Sequence, residues 1–324
     1  MTTGFPGNNF DVSNNIDVTD PAAVNAEVTR IFLDLYPGQP ITRINRAFHD
    51  LEALYRGRFP GFHGCDTPYH DTQHVLDVTL AMARLMDGYE RAEIGAERLE
   101  ASHFSLGVIT ALFHDCGYIR ELDDMEHRNG AELTLTHVSR GARFLKAYLP
   151  TIGMAEMADI AATLIHFTGY EIPVARITVP SLRYKLLGSL LGSADIIAQM
   201  SDRCYLEKCR DRLYPEFVAG GIARKRLPDG REDVVFESGE DLVMKTPRFY
   251  EGASRRLAQD LGGNHQYVEH HFGGRHPYLK EICRNVEFAQ SFHREHDTAA
   301  LKRIPPRTLA GDDNATTAPD NTQS

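Results

Sequence analysis

The run Phe104–Phe113 carries no charge and ends directly in His114-Asp115. A helix that is apolar on every side belongs in a protein interior rather than on its surface. Other elements must therefore surround this one. They must also accommodate an imidazole and a carboxylate side by side at its end, a costly burial unless both are paired. A metal ion is one solution, because it takes the imidazole nitrogen and keeps the carboxylate ionised. The other solution is a His and an Asp that cap backbone groups and reach water.

Helical periodicity recurs along most of the chain. It predicts helices from Pro21, over Thr42–Arg58 and Asp71–Met86, over Ala101–His114, Asn129–Leu149 and Ala155–Phe167, then over Ser181–Met200, Cys204–Val218, Pro247–Leu261 and Pro277–His296. Residues 220–245, punctuated by Gly220-Gly221, Pro228-Asp229-Gly230 and Gly239, predict an irregular excursion with one β-hairpin. No stretch alternates strand with helix, so a parallel sheet is not expected and the fold class is all-α. Residues 1–20 and 301–324 read as disordered segments flanking a single helical domain over 21–300.

The 324 residues carry a formal charge of -10. That argues against the basic face needed for duplex nucleic acid. It leaves room for a small anionic substrate, because bound metal ions can reverse a local field. No apolar run suggests a secretory signal or a membrane span. Five cysteines without a CxxC pair fit reduced thiols and a cytoplasmic location.

The second informative stretch is Tyr69-His70-Asp71-Thr72-Gln73-His74, with Asp77 beyond it. His70 and His74 share a face if the helix has begun by His70. Asp77 is spaced to orient the His74 imidazole, although a histidine pair at this spacing also suits a simple polar face. His137, His166 and Asp195 fall on three further predicted helices, the last two inside apolar runs. A single such residue is explained by one hydrogen bond. Several on successive helices match the way helical bundles build metal sites.

Taken in order, His74, His114-Asp115 and Asp195 resemble the ligand series of the HD-domain metal-dependent phosphohydrolases. The stretch Tyr69-His70-xxx-His74-xx-Asp77 is similar to the signature of class I cyclic-nucleotide phosphodiesterases, with Asp71 where that signature usually has Asn. His137-xxx-Gly141 and His166 resemble instead the extra histidines of the HD-GYP branch. That branch has a lysine where this chain has Tyr118, and its GYP element is absent. The resemblance covers about residues 66–217.

It implies an HD helical bundle and two divalent metal ions (Fe, Mn, Zn, Ni or Co, with Mg suited to an oxygen-rich second site). His74, His114, Asp115 and Asp195 are the implied ligands of the first ion. Asp115, His137 and His166 are those of the second, with Asp115 bridging a hydroxide that attacks phosphorus. His70 is the implied proton donor, and Asp71 or Asp77 the group that holds an imidazole tautomer. Arg120, Arg128 and Arg140 are candidates to bind phosphate oxygens. Tyr69, Tyr118, Phe167, Tyr170 and Gln199 are candidates to line a pocket, and Gln290 is a further candidate for base recognition. The glycine- and histidine-rich loops at 262–276 are candidate rim elements. The expected activity is a phosphodiesterase acting on a cyclic nucleotide. The alternatives are an HD enzyme for another phosphate, phosphonate or nucleotide, and an inactive nucleotide-binding regulator. The long C-terminal helix offers a surface for a homodimer.

Overall fold

The structure, a computed structural model, describes residues 7–92, 98–226, 229–295 and 300–306. Helix α1 (Pro21–Leu35) starts where Asp20 accepts the backbone N–H of Ala22 and proline occupies the first turn. It packs on α3 (Thr72–Arg91), while α2 (Thr42–Tyr55) packs on the helix that follows α3. The side chain of Asp71 caps α3 by accepting the N–H of His74 at 3.0 Å. Nearly every residue of α3 is buried, because α1, the apolar α4 (Ala101–Leu112) and later helices surround it. The charges this encloses are paired: Arg84 meets Asp11 at 2.7 Å and donates to the Tyr278 hydroxyl.

After α4 the chain makes a 3-10 turn at Cys116–Tyr118 and a second at Gly130–Leu133 before α5 (His137–Thr151). The single helix expected over 129–149 is thus two elements, and Pro150 sits within the last turn of α5 rather than beyond it. Helix α6 (Ala158–Leu164) is likewise short, with 3-10 turns on either side. Helix α7 (Leu182–Ser201) runs the length of the core against α3. Its Gly192 lets the 165–167 turn approach: a Cβ there would lie 2.5 Å from the Phe167 carbonyl oxygen. Helices α8 (Tyr205–Lys208) and α9 (Tyr214–Ala219) are joined by a π-turn at Cys209–Leu213. The excursion holds the antiparallel strands β1 (Arg224–Arg226) and β2 (Glu232–Val234). Helices α10 (Gly239–Met244), α11 (Thr246–Arg255), α12 (Val268–His271) and α13 (Pro277–Glu295) complete the chain.

The fold is therefore all-α with one short hairpin. Residues 7–20 are not the disordered lead-in expected of 1–20, of which 1–6 lie outside the described residues. Asp11 is buried, its side chain accepts the N–H groups of Ser13, Asn15 and Ile16, and Val18 enters the core. At the other end Leu301 is buried and Arg303 donates its N–H to Glu207, whereas residues 307–324 lie outside the described set. Ion pairing and local turns order both stretches despite their polar composition. No described helix is long and apolar enough to cross a membrane.

Candidate metal centre

His74 comes from α3, His114 and Asp115 from the end of α4, and Asp195 from α7. His74 Nε2 lies 3.1 Å from Asp115 Oδ2 and 3.6 Å from Asp195 Oδ1. His114 Nε2 lies 3.2 Å and 3.8 Å from the same two oxygens. His74, His114 and Asp115 are buried and form a group able to hold a metal ion. His114 Nδ1 is 2.8 Å from the Ala111 carbonyl, which can only accept, so Nδ1 donates there and Nε2 is the ring nitrogen that faces the group. His114 Nε2 and Asp115 Oδ2 are both buried without a hydrogen-bond partner. Buried orphans of this kind are expensive, and a divalent cation between them satisfies both. The imidazole and carboxylate donors therefore fit a transition-metal ion.

The electrostatics agree. Burial pulls the His114 imidazole down, but Asp115 and Asp195 outweigh it and push it up to about 9. Burial alone would raise the Asp115 carboxyl, but the neighbouring imidazoles of His114 and His74 hold it well below the usual carboxylate range. The cluster thus favours positive charge at its centre.

His137 sits on the other side of Asp115. Its Nδ1 donates to the Thr134 carbonyl at 2.6 Å, so Nε2 presents a lone pair 3.7 Å from Asp115 Oδ1. Burial holds the His137 imidazole below its ordinary pKa. Gly117 makes this meeting possible. It packs so closely on the start of α5 that a Cβ would fall 1.8 Å from the His137 carbonyl oxygen. His166 does not join the group. The 3-10 turn at 165–167 points Ile165 and Phe167 into the core and leaves His166 half-buried, off the cavity wall, with Nδ1 unpartnered.

His70 precedes α3 rather than lying on its face, yet it remains beside His74 with ring centroids 5.7 Å apart. Its partner is Glu216 of α9, which the sequence reading did not single out. His70 Nδ1 is 2.5 Å from Glu216 Oε2, while Glu216 Oε1 accepts the N–H groups of Tyr69 and His70. Burial lowers the His70 pKa, but the Glu216 charge and hydrogen bond outweigh it and raise it. Tyr118 is stacked between two imidazoles, 4.3 Å from His70 and 4.3 Å from His137.

His70, His74, Asp115, Tyr118, His137 and Asp195 line a cavity of about 880 Å³. Tyr69, Tyr118, Tyr170 and Gln199 line it, and the Tyr69 hydroxyl is 3.3 Å from Gln199 Oε1. Aromatic and aliphatic side chains from 205–249 line it too, with Arg248 and with Lys245, whose ammonium is paired with Asp241 at 2.7 Å. Arg256 holds the 167–170 loop in place, donating to the Phe167 and Gly169 carbonyls and lying 4.1 Å from the Tyr170 ring centroid.

Several expected site residues serve the scaffold instead. Asp71 caps α3 and pairs with Arg212 at 3.2 Å, so it holds neither imidazole. Asp77 faces the charges of Asp202, Lys208, Asp11 and Arg84, and burial raises its carboxyl well above the usual range. Arg120 binds the His127 carbonyl and Asp66. Arg128 is exposed. Arg140 braces the turn after Asp115 by donating to the Gly117 and Ile119 carbonyls. Phe167 is core. Glu216 and Arg256 left no periodic or motif signal, because each acts on residues far away in sequence.

No curated protein and no solved structure matches the chain. The Npun_R2479-like family model matches residues 59–286, a span that includes every side chain of the centre, from Tyr69 to Glu216. On that match the chain belongs to the Npun_R2479-like family.

Proposed function

We propose that this protein is an HD-type metal-dependent phosphohydrolase that cleaves a phosphodiester of nucleotide size, with a cyclic nucleotide as the leading substrate class. The observation that carries the reading is the pair of buried, unpartnered donors, His114 Nε2 and Asp115 Oδ2, beside a histidine held by a buried carboxylate. His74, His114, Asp115 and Asp195 would hold one divalent ion, and Asp115 with His137 would contribute to a second. Such ions, when bound, lower the pKa of water and neutralise phosphoryl oxygens.

The remaining work falls to the side chains. Glu216 accepts the Nδ1 proton of His70 and favours the imidazolium, so Nε2 carries a proton for the oxygen that leaves phosphorus. Tyr118 fixes the plane of the His70 ring by stacking. The apolar wall excludes water and accepts the body of the substrate. Arg248 at that wall suits an anion.

The test is metal analysis of the purified protein, together with hydrolysis of bis(p-nitrophenyl) phosphate, cyclic AMP and cyclic GMP in added Mn. Metal in the wild type, its loss in Asp115→Asn, and turnover of a diester are expected. A metal-free protein, or a metal-loaded one inert towards all three diesters, overturns the reading.

A further inference from the structure

A second large cavity lies away from the metal centre, where the N-terminal segment meets the start of α13. Its volume is about 900 Å³. Residues 8 and 12–15 form one side, 272–284 the other, and Arg203 and Arg303 complete it. The segments are tied together: Asn8 donates to the Ile304 carbonyl, and Arg203 to the Gly7 and Asp11 carbonyls and to Asn14.

The charge of this cavity runs against that of the molecule. The chain as a whole is acidic, with a formal charge of -10. The cavity presents Arg203, Arg275, Lys280, Arg284 and Arg303 and a single carboxylate, Glu281. Glu281 is engaged by Arg284 at 2.6 Å. Asp11, which caps the neighbouring turn, is committed to buried Arg84. Among the described residues no carboxylate side chain forms an ion pair with Arg203, Arg275, Lys280 or Arg303. The acceptors of Arg203 are neutral, and Arg275 reaches only the Phe272 carbonyl at 3.4 Å. Cations gathered in a concave site repel one another and focus a positive potential into it. A multivalent anion relieves that repulsion, and guanidinium forks suit phosphoryl oxygens in particular.

From this we infer that the cavity is a binding site for a small polyphosphate, either a free polyphosphate chain or the phosphate tail of a nucleotide. The site binds and does not catalyse. Its one imidazole, His276, has Nδ1 occupied as acceptor of the Leu279 N–H at the start of α13. The Phe272 ring on the wall offers a surface for a base. Arg203 follows Asp202, the residue that ends α7, so an occupant sits at the far end of the helix carrying Asp195 and Gln199.

The test is titration calorimetry of the full chain with sodium tripolyphosphate and with ATP, in EDTA so that the metal centre takes no part. Arg275 and Lys280 are both exposed, so the double variant Arg275→Glu/Lys280→Glu leaves the core intact. Wild type should bind tripolyphosphate at low salt, and the double variant about tenfold or more weakly. Asp115→Asn should bind as wild type does. ATP binding about tenfold tighter than tripolyphosphate would identify a nucleotide held against Phe272, and equal affinities a polyphosphate chain. Absence of binding to wild type, an unchanged affinity in the double variant, or a loss in Asp115→Asn overturns the inference.

Discussion

Glu216 spends both oxygens on two consecutive residues, the backbone of Tyr69 and His70 and the His70 ring. Its negative charge and hydrogen bond raise the His70 pKa against the effect of burial. Glu216→Gln should therefore leave metal content unchanged and slow diester turnover by about 10²-fold. In the proposed mechanism the acid works only when protonated, so the rate should fall as pH rises through the His70 pKa. Removing the charge lowers that pKa and should move the fall to lower pH, read from a pH–rate profile of both proteins. A different residue sets acid stability. Burial, and then the proximity of His276, hold the His265 imidazole down to about 4 from an ordinary 6.5. A depressed histidine pKa contributes stability above 6.5 that is lost as pH falls through about 4. Burial lowers His276 too, although Glu269 opposes it. Urea unfolding at neutral and at acidic pH should show a smaller acid penalty in His265→Gln than in wild type.

Elements bring these residues together, and here the sequence was only partly legible. Uncharged apolar runs mark α4 and α7, and His114, Asp115 and Asp195 stand out against them. The 3-10 turns are the places where expectation and structure part. The 3-10 turn at Ile165–Phe167 interrupts the helix expected over 155–167 at His166 itself. Three residues along a helix fall about 60° short of a full turn, and Asp77 accordingly points to the corner around Asp202 rather than to His74. Glu216 was invisible because its partners lie 146 positions away. The turn at Cys116–Tyr118 depends on Gly117, whose missing side chain lets α5 deliver His137. Gly117→Ala should cost on the order of 2 kcal/mol by overpacking, measured as a lower urea midpoint, and should weaken metal retention as well.

At the scale of the whole molecule, the described terminal stretches, around residues 7–20 and 300–306, meet beside the central helices. Asp11 reaches Arg84 in the middle of α3, and both side chains are only 2% exposed. Asp11→Asn would leave a buried guanidinium without its counterion and should destabilise the protein by about 3–5 kcal/mol, a loss that equilibrium urea unfolding would register. The order of the parts along the chain has a consequence in time. The metal-ligand candidates end at Asp195, and the partner of the acid comes 21 residues later. At a synthesis rate of ~5–20 residues per second, that gap lasts roughly 1–4 s. During it a growing chain has every candidate ligand but not yet the carboxylate that pairs with His70. The partner of His70 is thus synthesised after every candidate ligand, and the cavity wall of 235–249 later still.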